Sequence, residues 1–186
     1  AASGETLEIA NLGSAVGITL STGQQDLVLS GGTASGTTIS SGGKEFISLG
    51  GVTNGTTIRS SGSATVSSGG VASGDTLSRG GTLAVQAGGS ALATTVASGG
   101  VASVTSGAFW SSTILGAGGA ESVASGGIAR ATIIGSGGSE TVASGGTVSF
   151  ATLSSGGVLA VAVTGRALGT LVASGAGIGV SSGVLW

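Results

Sequence analysis

The sequence predicts an all-β chain wound as a single-stranded β-solenoid of nine 19-residue coils, and three observations carry that expectation. Rows of nineteen laid from Leu12 reach Ser182 after nine repeats without an insertion or deletion, and a fixed internal period is the mark of a repeat architecture. The ninth place of the rows, from Leu20 and Ile39 to Val172, and the seventeenth, from Val28 and Ile47 to Val180, hold only Leu, Ile or Val. Glycine occupies the second place of every row except the one with Ala108, and pairs such as Gly42-Gly43 and Gly137-Gly138 fill the twelfth and thirteenth.

Residues 1–11, with Glu5 and Glu8 flanking Leu7, are expected to form an N-terminal partial coil or cap over an otherwise open strand edge. Residues 12–182 form the nine coils, and 183–186 begin a further coil or a truncated end. Within a coil, stretches such as TTISS, ATVSS and ETVAS put a β-branched residue between polar neighbours, the alternation of a half-buried strand. A helix is excluded because paired glycines, each costing about 1 kcal/mol relative to Ala, leave segments too short to nucleate. Equivalent residues then stack at about 4.8 Å, and nine coils make a rod about 43 Å tall. The fourth place is small in most rows (Ala34, Ala72, Ala91, Ala129) and predicts a third, tighter inward wall.

Composition removes several function classes. Among the 186 residues there is no His, Cys, Met or Pro, so imidazole and thiol chemistry and His/Cys zinc sites are not available. The net charge of −2 comes from scattered residues, with no basic cluster to displace counterions from a phosphate backbone, so no nucleic-acid partner is expected. No cofactor is expected either. The longest apolar run, Val158 to Val163, is far short of the roughly 20 residues of a membrane-spanning helix. The start AASGETLEIA has neither a basic segment nor an apolar one and reads as a mature N-terminus or a cut rather than a signal peptide. A flexible Gly/Ser linker is excluded by 40% hydrophobic residues and a mean hydropathy of +0.59, since disordered chains lack such apolar content.

Three constellations stand out. At the fifteenth place Asp26 precedes Glu45 by one row, and Glu121 precedes Glu140; stacked at about 5 Å they offer a cation site or a glycosidase pair. Solvated charges near a corner, with Lys44 offsetting the first pair, are the expected arrangement, and no enzyme activity is predicted. At the eighth place Thr19, Thr38, Thr57, Thr76 and Thr95 form an outward ladder interrupted by Ile114 and Ile133. Such a rank suits an ice-binding face, although strand propensity alone also favours it. Trp110, beside Phe109, breaks the small column; it is expected to cause a structural bulge, since an indole overpacks a methyl-sized space, or else to turn outward as a binding aromatic.

Runs such as GGVASGDTLSRGGTLAVQAGG (69–89) and GGKEFISLGGVTNGTTIRSSGSATVSSGG (42–70) resemble the passenger repeats of AIDA-type autotransporter adhesins of Gram-negative bacteria. The resemblance covers Leu12 to Ser182. It implies a right-handed parallel β-helix exported through an outer-membrane barrel encoded elsewhere in the full-length protein. It also implies display at the cell surface or secretion, with adhesion, autoaggregation or biofilm formation as the activity. The implied partners are identical rods on neighbouring cells, surface glycans or receptors, and a glycosyltransferase. Ser41, Ser98, Ser125, Ser136, Ser144 and Ser155, beside glycine corners, are the acceptor sites the resemblance suggests for O-linked heptose. The same serines are also what turn chemistry favours.

Overall fold

The computed structural model describes residues 4–181. Each 19-residue row is one coil with three short strands and three corners, and equivalent strands of successive coils pair in parallel to build three sheets. In the coil that begins at Gly126 these strands are Ile128–Arg130, Ile133–Ile134 and Ser139–Val142. Every pairing is offset by one row, so that Val123 stands beside Val142, Ala129 beside Val148 and Ile134 beside Leu153. Two sheets have nine strands; the sheet of four-residue strands has ten, because Thr6–Ile9 lies beside Gln25–Val28 in the same register.

Alternation fixes the interior. In a four-residue strand such as Ser139–Val142 the second and fourth side chains are buried and the first and third face outward, the period-2 rule of a sheet with one wet face. The aliphatic columns expected to be inward are inward from Leu20 to Leu153 and from Val28 to Val161, and the small fourth column forms the third wall. Val172 and Val180 in the last described coil are partly exposed, with no described coil stacked on them.

The corners are of two kinds. Two are four-residue turns closed by a main-chain bond, as in Gly43 N–H to the Ser40 carbonyl at 2.9 Å and Gly51 N–H to Ser48 at 2.8 Å. The third is a single residue with positive φ between the three- and two-residue strands: Gly36, Gly55 and Gly74 in early coils, Ala93, Ser112, Ala131 and Phe150 later. The inward glycines are required by proximity. A Cβ on Gly119 would lie 2.0 Å from the Val96 carbonyl oxygen of the coil below, closer than any side chain tolerates. Even the corners bond from coil to coil, with Gly88 N–H to Gly107, Gly107 to Gly126 and Gly126 to Gly145, each at 2.9 Å.

Trp110 is buried, and its strand keeps register with both neighbours. The expected bulge is absent, and so is the outward binding aromatic. The indole fits because Ala91 lies directly below it and Ala129 directly above, leaving axial room that one coil alone does not have.

Candidate functional site

The exterior is where the suggested acceptor residues lie. Ser41, Ser98, Ser125, Ser136, Ser144 and Ser155 are all exposed, at the two four-residue corners. They differ locally. Ser41 and Ser98 have φ of 50° and precede glycines with φ of 81°, so both central turn residues are left-handed, as in a type I′ turn. At Ser136 and Ser155 only the following glycine has positive φ. The Oγ atoms of Ser125, Ser136 and Ser155 lean toward Gly145, Gly156 and Gly175 of the next coil, at 2.7, 2.9 and 2.8 Å from where a Cβ on that glycine would lie. The Ser144 hydroxyl meets the Thr164 hydroxyl at 2.6 Å. Beside Ser98, Ser125, Ser136 and Ser155 the next coil carries a glycine, so no side chain there covers the hydroxyl.

Thr19, Thr38, Thr57, Thr76 and Thr95 stand side by side on the outer face of the two-residue sheet, followed by Ile114 and Ile133. The exposed aromatic among the described residues is Phe150. It sits at a one-residue corner with φ of 58° and 57% exposure, and the Arg130 guanidinium lies 5.4 Å from its ring centroid. A bulky residue with left-handed φ is strained, and Phe150 takes the same corner conformation as Ala93, Ser112 and Ala131. The sequence offered no stripe that would single Phe150 out.

The interior holds what composition did not suggest. Asp26, Glu45, Glu121 and Glu140 all point inward and are buried, correcting the expectation of solvated charges. Asp75 and the threonines at the seventh place, including Thr56, Thr113 and Thr132, face them from the third corner. The Thr56 hydroxyl donates to Glu45 Oε2 at 3.1 Å, and the Thr56 N–H donates to Asp75 Oδ1 at 2.9 Å. Thr132 lies between the other pair, with its hydroxyl 3.4 Å from Glu121 Oε2 and 3.5 Å from Glu140 Oε1. One oxygen of each of Glu45, Glu121 and Glu140 has no hydrogen-bond partner.

Burial disfavours the charged form of every one of these acids. It pushes Glu45 up to about 8, with Asp75 and Asp26 adding repulsion and the Thr56 and Thr37 hydroxyls opposing. Asp75 rises to about 7 by burial, against the Thr56 N–H. Asp26 rises to about 6 by burial, with the Leu27 main chain opposing. Glu121 and Glu140 are both raised by burial, and their mutual repulsion adds to the rise of Glu140. Lys44, Arg59, Arg79, Arg130 and Arg166 are all exposed. Among the described residues no group of three acidic side chains converges to hold a metal ion. A polysaccharide chain has no access to carboxyls enclosed in this way.

No family model matches the chain, and no curated protein matches it. Among solved structures it is similar to the crystal structure of a TibC-catalysed, hyper-glycosylated fragment of TibA. The two are 34% identical with a TM-score of 0.95; the match covers 98% of this chain and 66% of that fragment. The chain therefore spans just under two thirds of the fragment's length.

Proposed function

We propose that this chain, whose repeats resemble those of AIDA-type autotransporter adhesin passengers and whose fold is similar to the TibA fragment, acts as a glycosylated adhesive rod displayed on, or secreted from, a Gram-negative cell. The observation that carries this reading is the placement of all six serines at solvent-facing corners, with a glycine of the next coil stacked beside Ser98, Ser125, Ser136 and Ser155 so that no side chain there covers the hydroxyl. A glycosyltransferase is then the first partner, with Ser41, Ser98, Ser125, Ser136, Ser144 and Ser155 as acceptors. Neighbouring rods or surface glycans are the second. The mechanism is geometric: a stiff stack presents many weak contacts at fixed spacing, and these add by multivalency. Phe150 and Arg130 form the local contact point best suited to the flat face of a sugar ring.

The test has two readouts. Coexpression with TibC, the enzyme named for the similar fragment, followed by intact mass and peptide mapping, is expected to give sugar increments at corner serines. Beads coated with the modified protein are expected to clump more than beads coated with a variant in which all six serines are alanine. An unmodified mass removes glycosylation from the reading, and beads that never clump remove adhesion.

The five-threonine ladder supports a second reading, an ice-binding face, because its threonines stand in register on one parallel sheet. It is a single rank, and Ile114 and Ile133 end it, so adhesion is the stronger reading. Thermal hysteresis in a freezing assay, lost on substituting Thr57→Val and Thr76→Val together, is the result that would reverse this order.

A further inference from the structure

Glu121 and Glu140 occupy directly paired positions in adjacent strands, Ala120–Val123 and Ser139–Val142, and both side chains are closed off from solvent. Ala102 stands below Glu121 in the same column and Leu159 above Glu140. The inward positions of the other two strands in these two coils are held by Trp110, Leu115, Ala129 and Ile134, with Thr113 and Thr132 at the adjoining corner. No charged group faces the pair from any of these elements; Arg130 and Arg166, on the adjoining three-residue sheet, point to solvent. The Thr132 hydroxyl has one proton for two carboxyl groups, the Thr113 hydroxyl approaches Glu121 alone, and Glu121 Oε1 and Glu140 Oε2 close no hydrogen bond. Two unpaired carboxylates at about 4.8 Å strand spacing in an apolar interior repel each other and lose their hydration. The one small species that satisfies them without additional ligands is a proton.

We propose that this solenoid folds with proton uptake at the Glu121–Glu140 pair, so that the coils carrying it close as acids and loosen as the medium turns alkaline. Each glutamate is a carboxylate in the unfolded chain near neutral pH. On folding it takes one proton from solvent, COO⁻ + H⁺ giving COOH, and the protonated group supplies the donor that the unpartnered oxygens lack. The raised protonation range of both groups, caused first by burial, agrees in sign. The folded state then binds more protons than the unfolded one. Stability falls with rising pH, by about tenfold in the unfolding constant per pH unit for each proton retained.

The test is the urea midpoint of the 186-residue protein between pH 5 and pH 9, compared with Glu121→Gln/Glu140→Gln, which keeps the shape and removes the titration. The wild-type midpoint is expected to fall across this range. The double variant is expected to fall less steeply and to exceed the wild type at pH 9. Equal slopes overturn the proposal. A wild-type midpoint at pH 9 that is restored by millimolar calcium chloride, with no response in the double variant, also overturns it, because the pair would then hold a cation. If the double variant fails to fold, proton release on urea unfolding of the wild type in weak buffer at pH 7 decides the matter. Release above the about 1.5 protons per chain that Asp26, Glu45 and Asp75 together hold at pH 7 supports the proposal; release at or below that amount overturns it.

Discussion

The indole Nε1 of Trp110 donates a hydrogen bond to Oγ1 of Thr94 at 3.1 Å, inside the solenoid and from one coil to the one before. A buried indole N–H needs such a partner, and the seventh-place threonine of the preceding coil supplies it. Trp110→Ala is expected to lower stability by about 3–5 kcal/mol through lost burial and the cavity left behind. Thr94→Val is expected to cost about 1–3 kcal/mol by leaving the N–H unpaired. Chemical denaturation of both variants checks the order.

Gly119 and Gly42 are both corner glycines, but they are glycine for different reasons. Gly119→Ala places a methyl group 2.0 Å from the Val96 carbonyl oxygen and is expected to cost about 3 kcal/mol or more. Gly42 has φ of 81° with open space around its Cβ position. Gly42→Ala is therefore expected to cost only the left-handed penalty, about 1 kcal/mol. A pair of denaturation curves separates the two causes.

Deleting residues 126–144 removes one whole coil and joins Ser125 to Gly145, which restores the SGG corner and stacks Val123 beneath Val161. The shortened chain is expected to keep its β-sheet circular dichroism and cooperative unfolding, because each coil meets only its neighbours. Deleting 126–135 instead leaves a nine-residue row between complete coils and is expected to break the stack there, so that unfolding loses its single cooperative transition while the coils before it keep their β-sheet signal.

Glu45 carries a pH dependence of its own. Its protonation range is raised to about 8 in the folded chain, chiefly by burial, so the folded state holds a proton that the unfolded carboxylate has released. That contribution is fully present below the unfolded value near 4.5 and is lost as pH rises through about 8. Asp26 in the same column, Asp75 at the facing corner and the outward Lys44 beside it are the charged groups around it. Glu45→Gln is expected to raise the urea midpoint at pH 9 and to change it little at pH 4.

Phe150 occupies a corner that is glycine in five of the nine coils. Phe150→Gly is expected to relieve left-handed strain and raise stability by up to about 1 kcal/mol, less what the Arg130 contact contributes. If the ring is an adhesive contact, the same substitution reduces bead clumping, a gain in stability set against a loss of function.

The period, the aliphatic columns and the small fourth wall were legible in the sequence because a one-residue slip would turn each coil inside out. The interior acids were legible too, by parity: with Val123 and Val142 inward, Glu121 and Glu140 two residues earlier must share their face. The usual preference of carboxylates for water obscured that reading. In the doublets Thr37-Thr38, Thr56-Thr57 and Thr94-Thr95 the same parity sends the first hydroxyl inward and the second out. The buried place of Trp110 is not legible in its own row because its room comes from Ala91 and Ala129, one coil away on either side. The left-handed corner at Phe150 is legible only from its column, which is glycine in five of the nine coils, since a lone aromatic does not announce its φ.

The ladder of main-chain bonds from one coil to the next also determines how the rod responds to tension. A chain drawn out from one end breaks the bonds of a single coil before it loads the next, so the force does not build over the whole stack. Each coil released adds 19 residues, about 65 Å of contour, and gives up about 5 Å of rod. Under load, the rod therefore pays out in even steps of about 60 Å, a shock absorber whose step length is the repeat itself.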